Sequence, residues 1–463
     1  MRAGAGGARG LVDLALDGRG QLQAGGDGFF GGLHGGGSGL RSKVVTCDYL
    51  RRSVAKGAPS RLPTIAALID LSAYRTLFAD RELRRIMLGS VLPRLPIGMN
   101  ALGLTLLVQA ATGSFAQAGW VSGAYMAALA LQAPVVGRFI DQRGPRGVML
   151  PLAAGHTLAL LGVVWAAHQG LRLPWLLGSA FVAGLFFPPV STVIRAMYRK
   201  ADMTASQRQS AFAVESVVVE SCFILGPLLV SLALLAGSAA YGVLLAAGFI
   251  AMGVPLFART GAIERWGQVE RTAERHWLGP LQVMGVRRSL GLTLLVATGF
   301  GLNEIAVPAF ATALGDTRLV GLFYAALSIP SAIAGLLYGT RRWGPPLNRQ
   351  ILLAVLWLAA GSVAMALAPS APWFALACLF TGLAFGPLIT ALSLQLGALA
   401  PSSTVTEAFT WSTTLLMLGL GLGMWAGGAL VQQWGWSASL LAAAGAMALA
   451  ALWAPWVPAV SGD

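Results

Sequence analysis

Charge is what this chain has least of. Only 11% of its 463 residues are Asp, Glu, Lys or Arg, against about a quarter in soluble domains. With 56% of residues hydrophobic and a mean hydropathy of +0.70, that scarcity excludes an ordinary soluble domain and points to a membrane protein. Cysteine is nearly absent. Cys47, Cys222 and Cys378 are too few and too scattered for a disulfide framework or a thiolate metal site. Lysine occurs only as Lys43, Lys56 and Lys200; arginine usage of this kind, with abundant Ala and Gly, suggests a GC-rich bacterial genome. No zinc, phosphate-loop or nucleophile–base constellation occurs, so no enzyme, metal or cofactor is expected. His156 and His168 have no carboxylate or cysteine at ligand spacing and read as satisfied core or interfacial histidines. The net charge of +14 does not indicate nucleic acid, because the basic residues are spread over short turns between apolar runs.

Those runs organise the chain. Twelve of them, each near the ~20 residues that cross a bilayer core, fall at 86–110, 117–139, 147–168, 173–197, 209–235, 239–259, 289–312, 318–340, 350–369, 372–398, 404–431 and 437–457; they are called spans 1 to 12 below. In hydrocarbon each must satisfy its own backbone, so all are expected to be helices. The long polar connection 260–288 divides them into six-span halves, 86–259 and 289–457. Residues 1–63 are Gly-rich without helical period, and read as an unstructured extension or as sequence translated ahead of the true start. Residues 64–85 alternate Ile65, Leu68, Leu71, Leu77 and Phe78 with Arg75, Arg81, Arg84 and Arg85, which predicts an amphipathic lead-in lying along the cytoplasmic interface. A short tail, 458–463, closes the chain.

Sixteen lysines and arginines flank the turns after spans 2, 4, 6 and 8, against only Arg172 and Arg318 on the opposite face. By the positive-inside rule the 260–288 linker and both termini are cytoplasmic. An internal repeat runs beneath the spans. A shift of 197 residues carries Ala211-Phe212 onto Ala408-Phe409, Gly226 onto Gly423 and the 244–248 segment onto 441–445. A shift of 198 carries Gly184 and Pro189 onto Gly382 and Pro387.

The turn Gly137–Arg146 reads GRFIDQRGPR. Its arginines satisfy the positive-inside rule, but that rule does not explain Gly137 one turn before Asp141. Gly137, Asp141, Gly144 and Arg146, with Arg143 among them, resemble the loop between helices 2 and 3 of the major facilitator superfamily of transporters, roughly G-x-L-x-D-R-x-G-R-R. Phe139, Gln142 and Pro145 depart from that pattern. Gly335, Gly339, Arg341 and Gly344 form a degenerate second copy without the aspartate. The resemblance implies an all-α, twelve-helix membrane protein of two pseudo-symmetric halves, with spans 1, 4, 7 and 10 lining a cavity at the midplane. It also implies that Asp141 latches the cytoplasmic side against the amino end of span 11, with Gly137 giving the close approach. Gly226-Pro227 resembles the opening of the family's antiporter signature G-P-x-x-G-G, but the chain continues GPLLVS and lacks the second glycine pair.

Ionisable groups inside spans are costly, at least ~2.5–3.5 kcal/mol each on insertion scales, and so are the candidates for chemistry. They are Arg94, Glu215, Glu220 and Glu304. Glu407 is set aside, because Thr404-x-x-Glu407 reads as a capping box opening span 11, as Ser206-x-x-Gln209 does for span 5. Counted from that start, Glu215 lies about 9 Å and Glu220 about 16 Å into the membrane. Five residues turn a helix by about 140°, so the two carboxylates face different ways. Arg94, between Pro93 and Pro96, is the cation at comparable depth. Its pairing with a span 5 carboxylate either steadies the half or moves protons, Glu220 being the first choice for the proton carrier. Glu304 is a substrate or proton contact, with Asn100, Gln109 and Asn303 as polar partners for cargo. Gly419, Gly423 and Gly427 form a ladder on span 11 for packing between the halves.

The expectation is therefore a secondary transporter in a bacterial cytoplasmic membrane, monomeric, moving a small molecule by alternating access with protons as the coupling partner. Apolar cavity-lining spans favour export of an amphiphilic compound, with uptake by symport as the alternative. A non-transporting sensor or anchor is the rival from another class, and the buried carboxylates argue against it. Alkaline phosphatase fused at Gln268 is predicted to be inactive, and fused at Ser238 active; the reverse pattern would overturn the span assignment.

Overall fold

The computed structural model describes residues 81–200, 205–264, 279–340, 345–401 and 404–459. Every regular element among them is helical. Spans 2 and 3 are Phe115–Arg143 and Pro145–His168; spans 5 and 6 are Ala205–Leu234 and Ala240–Ala258. Spans 7 to 12 are Met284–Ala313, Leu319–Thr340, Leu347–Ala366, Ala371–Leu399, Val405–Trp434 and Trp436–Trp453. Ten helices, counting the two broken spans whole, are long and apolar enough to cross a membrane. Spans 2 and 5 have the length, 29 and 30 residues, but carry the charged groups the sequence reading singled out.

Two spans are not continuous helices as the sequence reading had them. Span 1 is a helix Arg81–Gly89, a 3-10 turn Leu92–Arg94 and a second helix Pro96–Thr112. Pro93 and Pro96 remove two backbone donors within four residues, which breaks the ladder there. Span 4 is Leu173–Leu185 followed by Val190–Lys200. Pro188 and Pro189 force the break, and Gly155 of span 3 makes room for the Phe186 ring where a side chain would collide with it. Span 7 begins at Met284, five residues earlier than expected, and Arg288 Nη1 donates to the Trp456 carbonyl at 2.8 Å. Thr404 is the N-cap of span 11, but its side chain makes no capping hydrogen bond, so the capping box read from the sequence does not form. Ser206 and Gln209 lie outside the described side chains, as do Gly339 and residues 341–344.

The repeat in the sequence is a repeat in the packing. Gly98 of span 1 meets Gly226 of span 5 so closely that a methyl on either would strike backbone, and Gly301 of span 7 meets Gly423 of span 11 in the same way. Gly184 of span 4 lies against the Tyr125 carbonyl of span 2, and its counterpart Gly382 of span 10 against the Leu327 carbonyl of span 8. The matched glycines Gly226 and Gly423, and Gly184 and Gly382, are thus points at which helices cross with backbones in contact, whereas Gly248 and Gly445 meet nothing within 4 Å among the described residues. This corrects the reading of the span 11 ladder. Gly419 and Gly423 face Ala297, Thr298 and Gly301 of span 7, and Gly427 faces Leu302 and Ser439, all within the carboxy-terminal half.

The halves meet through other glycines. Gly119 and Gly123 of span 2 cross Gly421, Met424 and Gly428 of span 11, and Gly321 of span 8 sits on Ser231 and Leu228 of span 5. The Phe115 amide donates to Gln432 Oε1 at 3.0 Å across the same seam. Each contact lies in the half of its helix that is remote from the first and last spans' chain ends. At the other end of span 2, a Cβ on Gly137 would meet nothing within 4 Å. Among the described residues Gly137 thus has no neighbour from span 11 in this state; the close approach expected of it belongs to the state in which this end is closed.

Candidate functional site

The break in span 1 delivers a cation into the amino-terminal half. Arg94 ends the 3-10 turn, and Pro96 starts the next helix. Its Nη1 lies 2.8 Å from Glu215 Oε2 of span 5, with both side chains 1% exposed. Nη2 donates to Ser90 Oγ at 2.7 Å, and Ser90 Oγ in turn donates to the Met87 carbonyl at 2.7 Å. Tyr198 of span 4 and Cys222 of span 5 lie within electrostatic reach of the guanidinium. The deep cation of the sequence reading is therefore real, and among the described residues its partner is Glu215. The Glu220 and Asp141 side chains lie outside the described residues. Ser90 was missed by the sequence reading, although its spacing four residues before Arg94 places it one turn below.

A second polar cluster was also missed as a cluster. Asn100 Nδ2 lies 2.8 Å from the Tyr125 hydroxyl and 3.2 Å from His156 Nε2, and His156 Nδ1 lies 2.7 Å from the Ala183 carbonyl. An amide nitrogen only donates and a carbonyl only accepts, so His156 is the neutral tautomer with its proton on Nδ1. Ala183 sits just before the break in span 4, and Gln132 of span 2 donates to the Phe187 carbonyl inside it. The His156 and Phe187 rings meet edge to face at 5.3 Å. His156 and Gln132 thus satisfy carbonyls at the break, the condition for irregular backbone at bilayer depth. Asn100, 1% exposed, belongs to this interior network and not to a cavity wall, which corrects its reading as a cargo contact.

In the carboxy-terminal half, Asn303 exchanges hydrogen bonds of 3.3 Å with Ser362 of span 9. It too turns into its own bundle. Glu304, one residue on, points about 100° away. The Tyr324 hydroxyl of span 8 donates to the Glu304 carbonyl at 3.0 Å. Phe300, one turn before Glu304, packs against Phe385 of span 10 with ring centroids 4.2 Å apart and planes tilted by 37°. Gln109, half-buried near the closed end of span 1, accepts at its carbonyl from Gly113. Arg143 and Arg146 are exposed beside Gly144, whose φ of +78° ends span 2 and opens span 3. An apolar cleft of about 460 Å³ lies over the seam between spans 2 and 11, lined by Trp120, Gly123, Leu177, Leu422 and Trp425 among others. Among the described residues no group of three His, Cys, Asp or Glu side chains is arranged to hold a metal.

A sequence model of the Major Facilitator Superfamily matches residues 86–345 and 289–462. No curated protein sequence matches the chain. Among solved structures, it resembles a D-xylose–proton symporter at 14% identity and TM-score 0.67, covering 82% of this chain and 99% of that one. It resembles the nucleoside transporter NupG at 14% identity and TM-score 0.65, covering 81% and 98%. The human organic anion transporter MFSD10 (TETRAN) aligns at 16% identity and TM-score 0.56, covering 81% and 99%. At these identities the likeness speaks for the fold alone.

Removing one partner of a buried ion pair leaves the other charge uncompensated, at about 3–5 kcal/mol. Glu215→Gln is therefore predicted to lower the thermal midpoint of the purified protein sharply. The double variant Arg94→Gln with Glu215→Gln should recover most of the loss. A double variant no more stable than the single would show that the two charges do not compensate each other.

Proposed function

The chain belongs to the major facilitator superfamily, and on that premise we propose that it is a secondary transporter moving a small molecule between its halves by alternating access. The observation that carries this reading is the one-sided contact of the halves. Spans 2 and 11 and spans 5 and 8 touch in the halves remote from the termini, while a Cβ on Gly137 at the other end of span 2 would meet nothing within 4 Å among the described residues. With both termini cytoplasmic, this is the inward-facing state of a protein in the bacterial cytoplasmic membrane. Closing the cytoplasmic end then brings the 137–146 turn toward the start of span 11. The positive end of that helix favours the Asp141 carboxylate there by roughly 0.3–1 kcal/mol, more if partly buried.

Coupling to protons is assigned to the Arg94–Glu215 pair. Neutralising the carboxylate leaves the guanidinium without its partner charge. The pair lies at the break in span 1 and ties that break to span 5, one of the helices that carries the seam. A change of protonation at Glu215 thereby reaches the contact between halves. Export of an amphiphilic compound against proton entry is the first reading, supported by the aromatic surface of Phe300 and Phe385. Uptake by symport is the second, favoured by the missing glycine pair after Gly226-Pro227. The protein acts as a monomer, each chain carrying both halves.

The test uses purified protein in liposomes holding a panel of amphiphilic compounds under an imposed pH gradient. Flux opposite to proton flow, abolished by a protonophore, is expected; flux in the same direction as protons would select symport. No gradient-dependent flux of any compound would favour the non-transporting reading. In the double variant Arg94→Gln with Glu215→Gln, exchange of cargo against cargo should persist while gradient-driven flux is lost. Full gradient-driven flux in that variant would make the pair purely structural.

A further inference from the structure

Glu304 is a carboxylate inside the carboxy-terminal half with no charge to answer it. Among the described residues the ion pair joins Arg94 and Glu215, and no cation lies at such a distance from Glu304. Its neighbours one turn either way, Phe300, Gly301, Val307 and Pro308, are buried, yet Glu304 keeps part of its surface open. The opening is therefore internal to the protein and is not contact with lipid. Tyr324, 6% exposed, anchors the helix at that point through the Glu304 carbonyl.

The aromatic surface beside it has the same orientation. Phe385 sits at the middle of span 10 and is 36% exposed. The other exposed apolar residues of that helix include Leu376, Leu379, Phe380 and Leu383. At 100° per residue these cluster on the side opposite Phe385, so Phe385 faces the space between the halves. Phe300 packs against it at a tilt, and Phe300 and Glu304, four residues apart, share one helix face. A carboxylate thus stands one turn beyond a pair of packed aromatic rings, on the path from the open end toward the closed seam.

We propose that Glu304 and the Phe300–Phe385 pair form a binding site for a monovalent organic cation with an apolar body. The carboxylate takes the charge and the rings take the hydrophobic part. An uncompensated carboxylate at bilayer depth is costly, and a cationic guest offsets that cost where an anionic or neutral one does not. Ring faces attract cations as well, most strongly when water is excluded. The inference names the cargo class for the transporter proposed above and rests on that reading.

The test is equilibrium binding to the full-length protein in detergent, with tetraphenylphosphonium, ethidium and benzyltrimethylammonium as probes. Tetraphenylborate, matched in shape to the first and opposite in charge, is the control. At least one cation should bind, and bind at least tenfold more tightly than tetraphenylborate. Glu304→Gln should weaken it about tenfold or more, Glu304→Asp should retain much of the affinity, and Phe385→Ala should weaken it less than Glu304→Gln. Thermal midpoints of each variant identify any that fail to fold, and Glu304→Asp with Phe385→Ala then carry the comparison. No binding of any of the three cations, equal binding of tetraphenylborate, or full cation affinity in Glu304→Gln would each overturn the site. Binding is read without transport. Cation binding without gradient-driven flux would keep the site and sink the transporter reading, while flux of neutral compounds without cation binding would do the reverse.

Discussion

Helices in a bilayer gain nothing by hiding apolar surface from each other, since lipid tails are equally apolar. They associate through close packing, and close packing requires small residues where backbones cross. That constraint decides the architecture of this chain. Gly98 on Gly226, Gly301 on Gly423, Gly184 on the Tyr125 carbonyl and Gly382 on the Leu327 carbonyl fix the crossings within each half. Gly119 and Gly123 on Gly421 and Gly428 fix the crossing between halves. The two sets differ in kind. Inside each half the glycine contacts recur at pseudo-symmetric positions, as two rigid bundles require. Between halves they sit at one end only, so the seam can part without unpacking either bundle.

Polar groups follow the same logic from the opposite side. Every one that is carried into the membrane needs a partner there. Arg94 is admitted by a proline-broken turn and answered by Glu215 and Ser90. The break in span 4 frees carbonyls that His156 and Gln132 take up. Both breaks lie in spans of the amino-terminal half that the family fold assigns to the cavity. Glu304 is the exception, a carboxylate with a tyrosine and two phenylalanines around it but no cation, and this is why it carries the proposal about cargo.

Much of this was legible in the sequence. Hydrophobic run length gave ten of the twelve spans as single helices to within five residues of their ends, because crossing a bilayer sets a length that tertiary contacts cannot change. The repeat shifts marked Gly226, Gly423, Gly184 and Gly382, which proved to be crossing points. Pro93 and Pro96 were noticed as flanks of Arg94, while Pro188-Pro189 carried the same signal for span 4 and went unused. Pairing across the bundle was not legible. Arg94 had two glutamates within reach on span 5, and only the rotation of that helix chose Glu215. Asn100 and Asn303 looked like cavity groups because polar residues on cavity spans are expected to face cargo; each instead found a partner inside its own half. The span 11 ladder was assigned to the wrong neighbour because a glycine at every fourth position gives a face but not what the face meets.

The central claim is that the seam between halves opens at one end as it closes at the other. Distances between spin labels test it most directly, in protein with Cys47, Cys222 and Cys378 replaced. One pair, at Ala111 and Trp434, reports the closed end, and the other, at Phe139 and Phe409, reports the end near the termini; all four positions are exposed. On acidification and on addition of cargo, the first distance should lengthen in the same population in which the second shortens. Two distances that stay fixed, or that lengthen together, would contradict the account.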